Sequence, residues 1–495
     1  MPRRERRLGG RALVGWQPGR AARPDDRRDL VSARLPAGFV VRLNRHTRVV
    51  DDGAVLVGGS PTRISRLKPA ALGRIHDGEL TVTDASSRAL AEHLLGTGMA
   101  DPVVHRLPPA GLAQATVVIP VHNRPRQLDR LLASLGGALP VIVVDDASID
   151  VDAVATVAAA HDARLIRLAR NVGPAGARNA GLAEVTTPFV VFIDSDVVAE
   201  PADIELMLRH FADPELAMVA PRVLGLAHER PNWITRYEDA RSSLDLGEDS
   251  SSVRPRSPVT WVSSTCLVAR VGLLGDGFDA SMRVGEDVDL VWRLVDAGRR
   301  VRFEPAALVR HEHRTTARTW LGRKYFYGTG AQPLAERHPD DIAPVVLAPW
   351  AAATLVALGA QRRWSLPVAG AVVAMTVVRI ARRATAVRQP YRLAARLTAN
   401  GLIAAIAQGF ALLLRHWWPL TAIGCLASRR VRRAVLVAAA ADTVWEFVRT
   451  RPRLDPLRFG LARRLDDVAY GAGVWWSALR ARSARALLPD LRRRH

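Results

Sequence analysis

Between Ala115 and Asp196 four apolar runs alternate with three helical patterns, and this rhythm restricts the chain more than any other feature. The runs are ATVVIP (115–120), PVIVVDD (140–146), RLIRLA (164–169) and PFVVFIDSD (188–196). Between them lie RPRQLDRLLASL, VDAVATVAAAH and GPAGARNAGLAEV. Continuous apolar runs suit strands buried on both faces, and their alternation with helices predicts right-handed βαβ units and a parallel sheet. Such sheets take ligands at the carboxyl ends of their strands. Polar residues gather at all four equivalent ends. Pro120 and Asn123 follow the first strand and Asp145 and Asp146 the second. Asn171 and Gly173 follow the third, and Asp194 and Asp196 the fourth.

Those residue types suggest a chemistry. Two carboxylates around the small Ser195 suit a hard divalent cation that also bridges phosphate oxygens. The plainer alternative is a strand-to-helix turn with an aspartate cap. Asp145 or Asp146 offers acceptors to a nucleotide base and ribose. Gly173 and Gly176 let a backbone turn approach a ligand, and Arg178 then reaches a base or a diphosphate. Farther on, EDVDLVWRLVDAG opens with Glu286 and Asp287, and its Val288, Leu290, Val291 and Leu294 mark a packed side. A carboxylate at a helix N-terminus is kept ionised by the positive end of the dipole.

At 495 residues, two to four folding units are expected. Basic residues outnumber acidic ones 70 to 48, a net charge of +22, but the arginines are scattered rather than gathered in one stripe. Nucleic acid is therefore not the expected partner. The two cysteines, Cys266 and Cys425, form neither a disulfide framework nor a metal spacing. Residues 1–34 form a basic arm with no apolar core of a secretory signal. In 35–110, Gly38 to Val57 reads as one hairpin turning at a DDG. Two short helices and an exit strand follow, the second helix capped by Ser86 or Ser87, giving a small winged-helix-like module. The strand-helix alternation defines a third unit, 114–338. Uncharged stretches at 342–360, 364–378 and 397–414, flanked by arginines, make 340–445 a set of membrane-associated helices. Residues 446–495 read as a basic amphipathic tail with Trp475 and Trp476.

TVVIPVHNR (116–124), VIVVDDASID (141–150), NVGPAGARNAG (171–181), FIDSD (192–196) and VGEDVDLVWRL (284–294) together resemble the inverting family 2 glycosyltransferases of GT-A fold. The resemblance covers roughly 114–330. It implies sugar transfer from a nucleotide diphosphate donor, with the nucleoside at Asp145 and Asp146 and a Mg²⁺ or Mn²⁺ clamp at Asp194 and Asp196. Asp287 becomes the base, with Glu286 and Asp289 orienting it. WVSSTCLVAR (261–270) resembles the family's acceptor-side loop, so Trp261, Ser263 and Ser264 are acceptor-side candidates. His311, in HEHRTT, is a candidate third metal ligand or an ordinary loop histidine. Processive members carry Gln-x-x-Arg-Trp after this point; here the text is TWLGRKYFYG (319–328), which argues against long polymers. Arg323 and Tyr325 remain candidates for acceptor or diphosphate.

VLVGGSPTRISRL (55–67) and HRTTARTWLGRKYFYGTGAQPLAERHP (313–339) carry a narrower resemblance, to the mycofactocin-system glycosyltransferases. It implies UDP-glucose as donor and a peptide-derived redox cofactor as acceptor, recognised by the 35–110 module. The uncharged stretches flanked by arginines, with a nucleotide-sugar donor, make a cell-membrane enzyme whose catalytic domain faces the cytoplasm the expectation. A cell-wall or lipid glycosyltransferase and a catalytically inactive binding scaffold are the alternatives.

Overall fold

The computed structural model describes residues 34–385 and 387–491. The expected basic arm, except Arg34, lies outside the described residues.

The central sheet follows the order Val197–Ala199, Arg300–His311, Leu216–Gly225, Cys266–Arg270, Phe189–Ile193, Ala115–Val121, Val141–Asp145, Arg164–Arg167, and Ser251–Ser252 also pairs with Arg300–His311. The last four strands of that order run parallel, in agreement with the βαβ rhythm. Cys266–Arg270 then enters antiparallel to Phe189–Ile193, so the other half of the sheet is mixed. Helices cover both faces. Pro125–Leu135 starts on its proline, buries Leu128, Leu131, Leu132 and Leu135, and stops at left-handed Gly136. Gly173–Leu182 covers the opposite face so closely that a side chain at Gly181 would collide with Val118 and Val144. Two apolar cores result. One contains Leu128, Val143, Val191 and Ile204; the other contains Phe192, Phe278, Leu290 and Trp292.

The module at 35–110 differs from expectation. Val40–Leu43 and Arg48–Val50 belong to separate sheets, because Asn44 and Thr47 close a turn between them: Thr47 donates its hydroxyl to Met99 and to Asn44, and Asn44 donates to Gly98. The expected hairpin therefore begins only at Arg48, turns through left-handed Asp51, Asp52 and Gly53, and continues into an unforeseen strand, Arg63–Arg66. A second unforeseen strand, Glu79–Thr81, pairs with Val40–Leu43. Only Ala85–Thr97 is a helix of more than about one turn, and Asp84 rather than Ser86 or Ser87 caps it. Ser87 completes the reciprocal capping box. The module docks on the central domain through the buried Arg302–Asp101 pair, through Arg254 on the Gly96 carbonyl (2.9 Å), and through apolar contact with Leu206 and Ala212.

Beyond residue 348 the described residues are mainly helical. The stretch expected to be continuous at 342–360 is a helix only over Pro349–Ala360, because Pro344 and Pro349 hold the preceding residues extended. Among the described residues, two helical segments are long and apolar enough to cross a bilayer, Ser365–Arg383 and Pro390–His416. Arg429–Thr450 runs through the boundary expected at 445 and 446. Pro456–Arg480 packs along Ala317–Thr329 of the central domain.

Candidate active site

The strand Phe189–Ile193 delivers Asp194 to the sheet's carboxyl edge, and the Asp194 N–H donates to the Thr265 carbonyl at 3.0 Å. One face of helix Gly173–Leu182 sends Arg178 beneath it. That guanidinium is 2 % exposed and donates to Asp194 Oδ1 (2.5 Å) and Glu286 Oε1 (3.1 Å), with its carbon 5.3 Å from the centre of the Phe278 ring. Arg178 was expected to meet the donor; here it is a buried bridge between the fourth strand and the Glu286–Asp296 helix.

Left-handed Gly285 introduces that helix. Asp287 is half-buried, and its oxygens accept from the N–H groups of Ser264 (3.1 Å) and Val288 (2.9 Å). The loop at 263–265 thus grips Asp287 through Ser264 and the Asp194 backbone through Thr265. Burial raises the carboxyls of both Glu286 and Asp287. The Asp287 charge raises Glu286 further, Arg178 opposes both shifts, and the two backbone donors restrain Asp287. Asp289 points elsewhere: it accepts from Arg293 (2.8 Å) and His338 (2.9 Å), tying the helix to the segment after Ala331–Arg337.

Asp196 is buried and pairs with Arg124. His311 Nε2 lies 3.6 Å from its carboxylate and Arg314 3.9 Å away. The pairing of Val197 with His311 explains this proximity. Burial alone would raise the Asp196 carboxyl, but His311 and Arg124 outweigh it and hold it below the usual range. His311 Nδ1 is buried without a hydrogen-bond partner. Among the described residues no group of three or more His, Cys, Asp or Glu forms a ready metal cage. Carboxylate and imidazole donors nevertheless suit Mg²⁺ or Mn²⁺ where phosphate oxygens complete the coordination.

At the second strand, Asp145 Oδ1 accepts from the Ser148 N–H (3.0 Å), and both Asp146 oxygens are taken by the amides of Val172 (2.7 Å) and Gly173 (2.9 Å). Asp146 therefore fixes the third strand's exit loop, while Asn171 donates to the Asp146 carbonyl (3.3 Å). Left-handed Asn123 accepts from the Ile149 N–H at 2.7 Å, joining the first two strand exits. Pro120 is buried within its strand, opposite Val144.

On the acceptor side, Trp261 is half-buried and Ser263 shares a 2.6 Å hydrogen bond with Thr265. Arg323 stacks near Phe326 and Tyr327. Tyr325 is exposed, with its carbonyl facing Gly473, whereas Tyr327 lies within electrostatic reach of Asp194 and Asp287. Sequence reading missed Arg124, Arg314, Tyr327 and Thr265. Arg124 and Arg314 lie inside the quoted motifs TVVIPVHNR and HEHRTT, but nothing in their local text separates them from the chain's many surface arginines.

A model of Glycosyl transferase family 2 matches residues 116–262. The pre-mycofactocin glycosyltransferase, from two strains of Mycobacterium tuberculosis, is 44% identical over 94% of this chain and 100% of its own length. The succinoglycan biosynthesis protein ExoO of Rhizobium meliloti is 30% identical over 42% of this chain and 62% of its own. Among solved structures, a mannosyltransferase from Pyrobaculum calidifontis in complex with GDP-Man and Mn²⁺ is 21% identical over 60% of this chain and 88% of its own, with a TM-score of 0.36.

Proposed function

Because the chain belongs to glycosyltransferase family 2, with the pre-mycofactocin glycosyltransferases among its relatives, we propose that it transfers glucose from UDP-glucose to a hydroxyl of a mycofactocin-type, peptide-derived redox cofactor. It is a glycosyltransferase of GT-A-like fold. The transfer inverts the anomeric carbon, and repetition extends the product to a short oligosaccharide. The observation that carries this reading is the convergence of Asp287 and Asp194 on one loop, 263–265, with Arg178 bridged between Asp194 and Glu286. That arrangement supports reading Asp287 as a proton acceptor beside a diphosphate site.

The nucleoside lies along the strand exits held by Asn123, Asp145, Asp146, Asn171 and Gly173. Asp196 and His311, with Asp194, hold a divalent cation whose charge offsets that of the leaving diphosphate. Arg124, Arg314 and Arg323 supply further positive charge on the same side. Asp287 takes the proton of the acceptor hydroxyl as its oxygen bonds to the anomeric carbon, and the carbon–oxygen bond to the diphosphate breaks on the opposite face. Trp261, Ser263 and Ser264 border the acceptor, and the N-terminal module recognises its peptide-derived part. The C-terminal helices hold the enzyme at the cell membrane, with the site on the cytoplasmic side. The exposed apolar residues of those helices favour a second reading, a lipid-linked or cell-wall acceptor.

Incubation with a panel of nucleotide sugars and the peptide-derived acceptor, read by mass, tests the proposal. The expected result is a gain of one or a few hexoses, from UDP-glucose in preference to the other donors. An unmodified acceptor alongside a glycosylated membrane lipid would transfer support to the second reading.

A further inference from the structure

The last two long helices are built inside out. On Pro456–Arg480 the exposed apolar residues are Leu457, Leu461, Val468, Trp476 and Leu479, which repeat at helical spacing along one stripe. Its opposite face buries Asp466 and Asp467. Arg429–Thr450 repeats the pattern, with Leu436, Val437, Val444, Trp445 and Val448 exposed and Glu446 buried. The inward charges are neutralised in place. Lys324 of the central domain meets Glu238 (2.9 Å) and Asp466 (3.4 Å), Arg463 meets Asp442 (2.6 Å), and Arg241 meets Glu446 (3.1 Å). A helix in water directs its charges outward, so this reversal marks apolar surroundings on the outer face.

Geometry restricts how that face can meet a bilayer. The central domain touches Pro456–Arg480 from Phe459, which packs with Tyr237 and Trp320, to Ala478, which packs with Ala335. That contact runs for about 28 Å at 1.5 Å per residue, nearly a hydrocarbon thickness. Spanning would drag a charged catalytic domain into lipid. Building on the membrane association proposed above, we propose that Pro456–Arg480 lies flat in the membrane interface. Its apolar stripe enters the acyl chains and its charged face carries the catalytic domain. Arg451, Arg453 and Arg458 at its start and Arg480, Arg482 and Arg485 at its end suit anionic headgroups. Lipid is favoured over a second copy of the chain because, among the described residues, each of the six α-helices after residue 348 exposes large apolar residues, including Val356, Met375, Ile403 and Ile423. A twofold contact would cover one patch, not every helix. The catalytic site then sits just above the membrane, because Ala317–Thr329 carries Lys324 toward the flat helix and Tyr327 toward Asp194 and Asp287.

The test uses the full chain with Cys425→Ser and single nitroxide labels at Leu457, Leu461, Val468 or Leu479, all exposed positions. The protein is reconstituted in phosphatidylcholine–phosphatidylglycerol vesicles. Collision rates with oxygen and with a water-soluble nickel complex give each label's depth. The expected result is a rise in the oxygen-to-nickel ratio at all four positions, to one common depth. A depth that changes steadily from Leu457 to Leu479 would mean a spanning helix and overturn the proposal. Labels freely reached by nickel would overturn it as well, and labels shielded from both reagents would assign the stripe to a second copy. Failure to co-float with vesicles would defeat the broader membrane reading, whereas co-flotation with nickel-accessible labels would defeat only the flat helix.

Discussion

Arg178 is the side chain on which both halves of the site depend. It is 2 % exposed and neutralises Asp194 and Glu286 together. Arg178→Met should leave two carboxylates without their buried partner and cost about 3–5 kcal/mol, read as a lower unfolding midpoint. A midpoint equal to wild type would show the bridge to be dispensable. Asp287→Asn acts differently, because the amide oxygen still accepts from one of the two N–H groups, Ser264 or Val288, that hold the carboxylate. Transfer should fall by at least about 100-fold, while donor affinity measured by calorimetry stays within a few-fold. Near-normal turnover would move the base elsewhere. Burial raises the carboxyls of Glu286 and Asp287, and the proposed base works only when ionised. Transfer should therefore decline on acidification at a pH above the roughly 3.9 of an ordinary aspartate. The midpoint belongs to the pair rather than to either group. An acid limb at or below the ordinary value would contradict the burial argument. The carboxylates were legible in the sequence because strand ends and helix starts are local features. The bridging role of Arg178 was not, since its partners lie 16 and 108 residues away in the chain.

Among elements, the parallel half of the sheet was readable from hydrophobic rhythm alone, down to the helix Pro125–Leu135, though not its stop at Gly136. The N-terminal module was less readable. Its strands have three or four residues each, too short for a period to establish itself, and side chains such as Asn44 and Thr47 decide where they break. Val40–Leu43 and Val55–Gly58 are both central strands of three-stranded sheets and have no free edge for an added strand. One close contact between elements went unmarked in the text. Gly328 and Gly473 let Ala317–Thr329 and Pro456–Arg480 approach backbone to backbone, and a side chain at Gly328 would strike the Tyr470 carbonyl. Gly328→Ala should destabilise the protein by about 1–3 kcal/mol, as overpacking does. An unchanged unfolding midpoint would show that the two helices part without penalty.

At the scale of the whole molecule, the C-terminal helices are part of the catalytic domain's own structure rather than a detachable anchor. Hydropathy showed apolar segments after residue 340 but gave no sign that Trp320 and Tyr237 would be buried by Phe459, Leu454 and Ala462. Such contacts join residues more than 130 positions apart, beyond the reach of any periodic pattern. A chain ending at residue 338 would expose Trp320 and Tyr237, each now at most 1% exposed, and the Tyr237 hydroxyl would lose Asp466, 3.1 Å away. Full burial of a large side chain contributes about 1.5–3 kcal/mol, and Ala335 loses its cover as well. The sum is several kcal/mol, enough to lower the unfolding midpoint by about 10 °C in a domain of this size. Thermal unfolding of the full and shortened chains in the same detergent is the comparison. A shortened chain that is soluble, unfolds at the full-length temperature and still binds UDP-glucose would mean that the helices serve the membrane alone. The expected result is a less stable, aggregation-prone domain, because the same helix that exposes an apolar stripe on one side supplies a wall of the catalytic domain's core on the other.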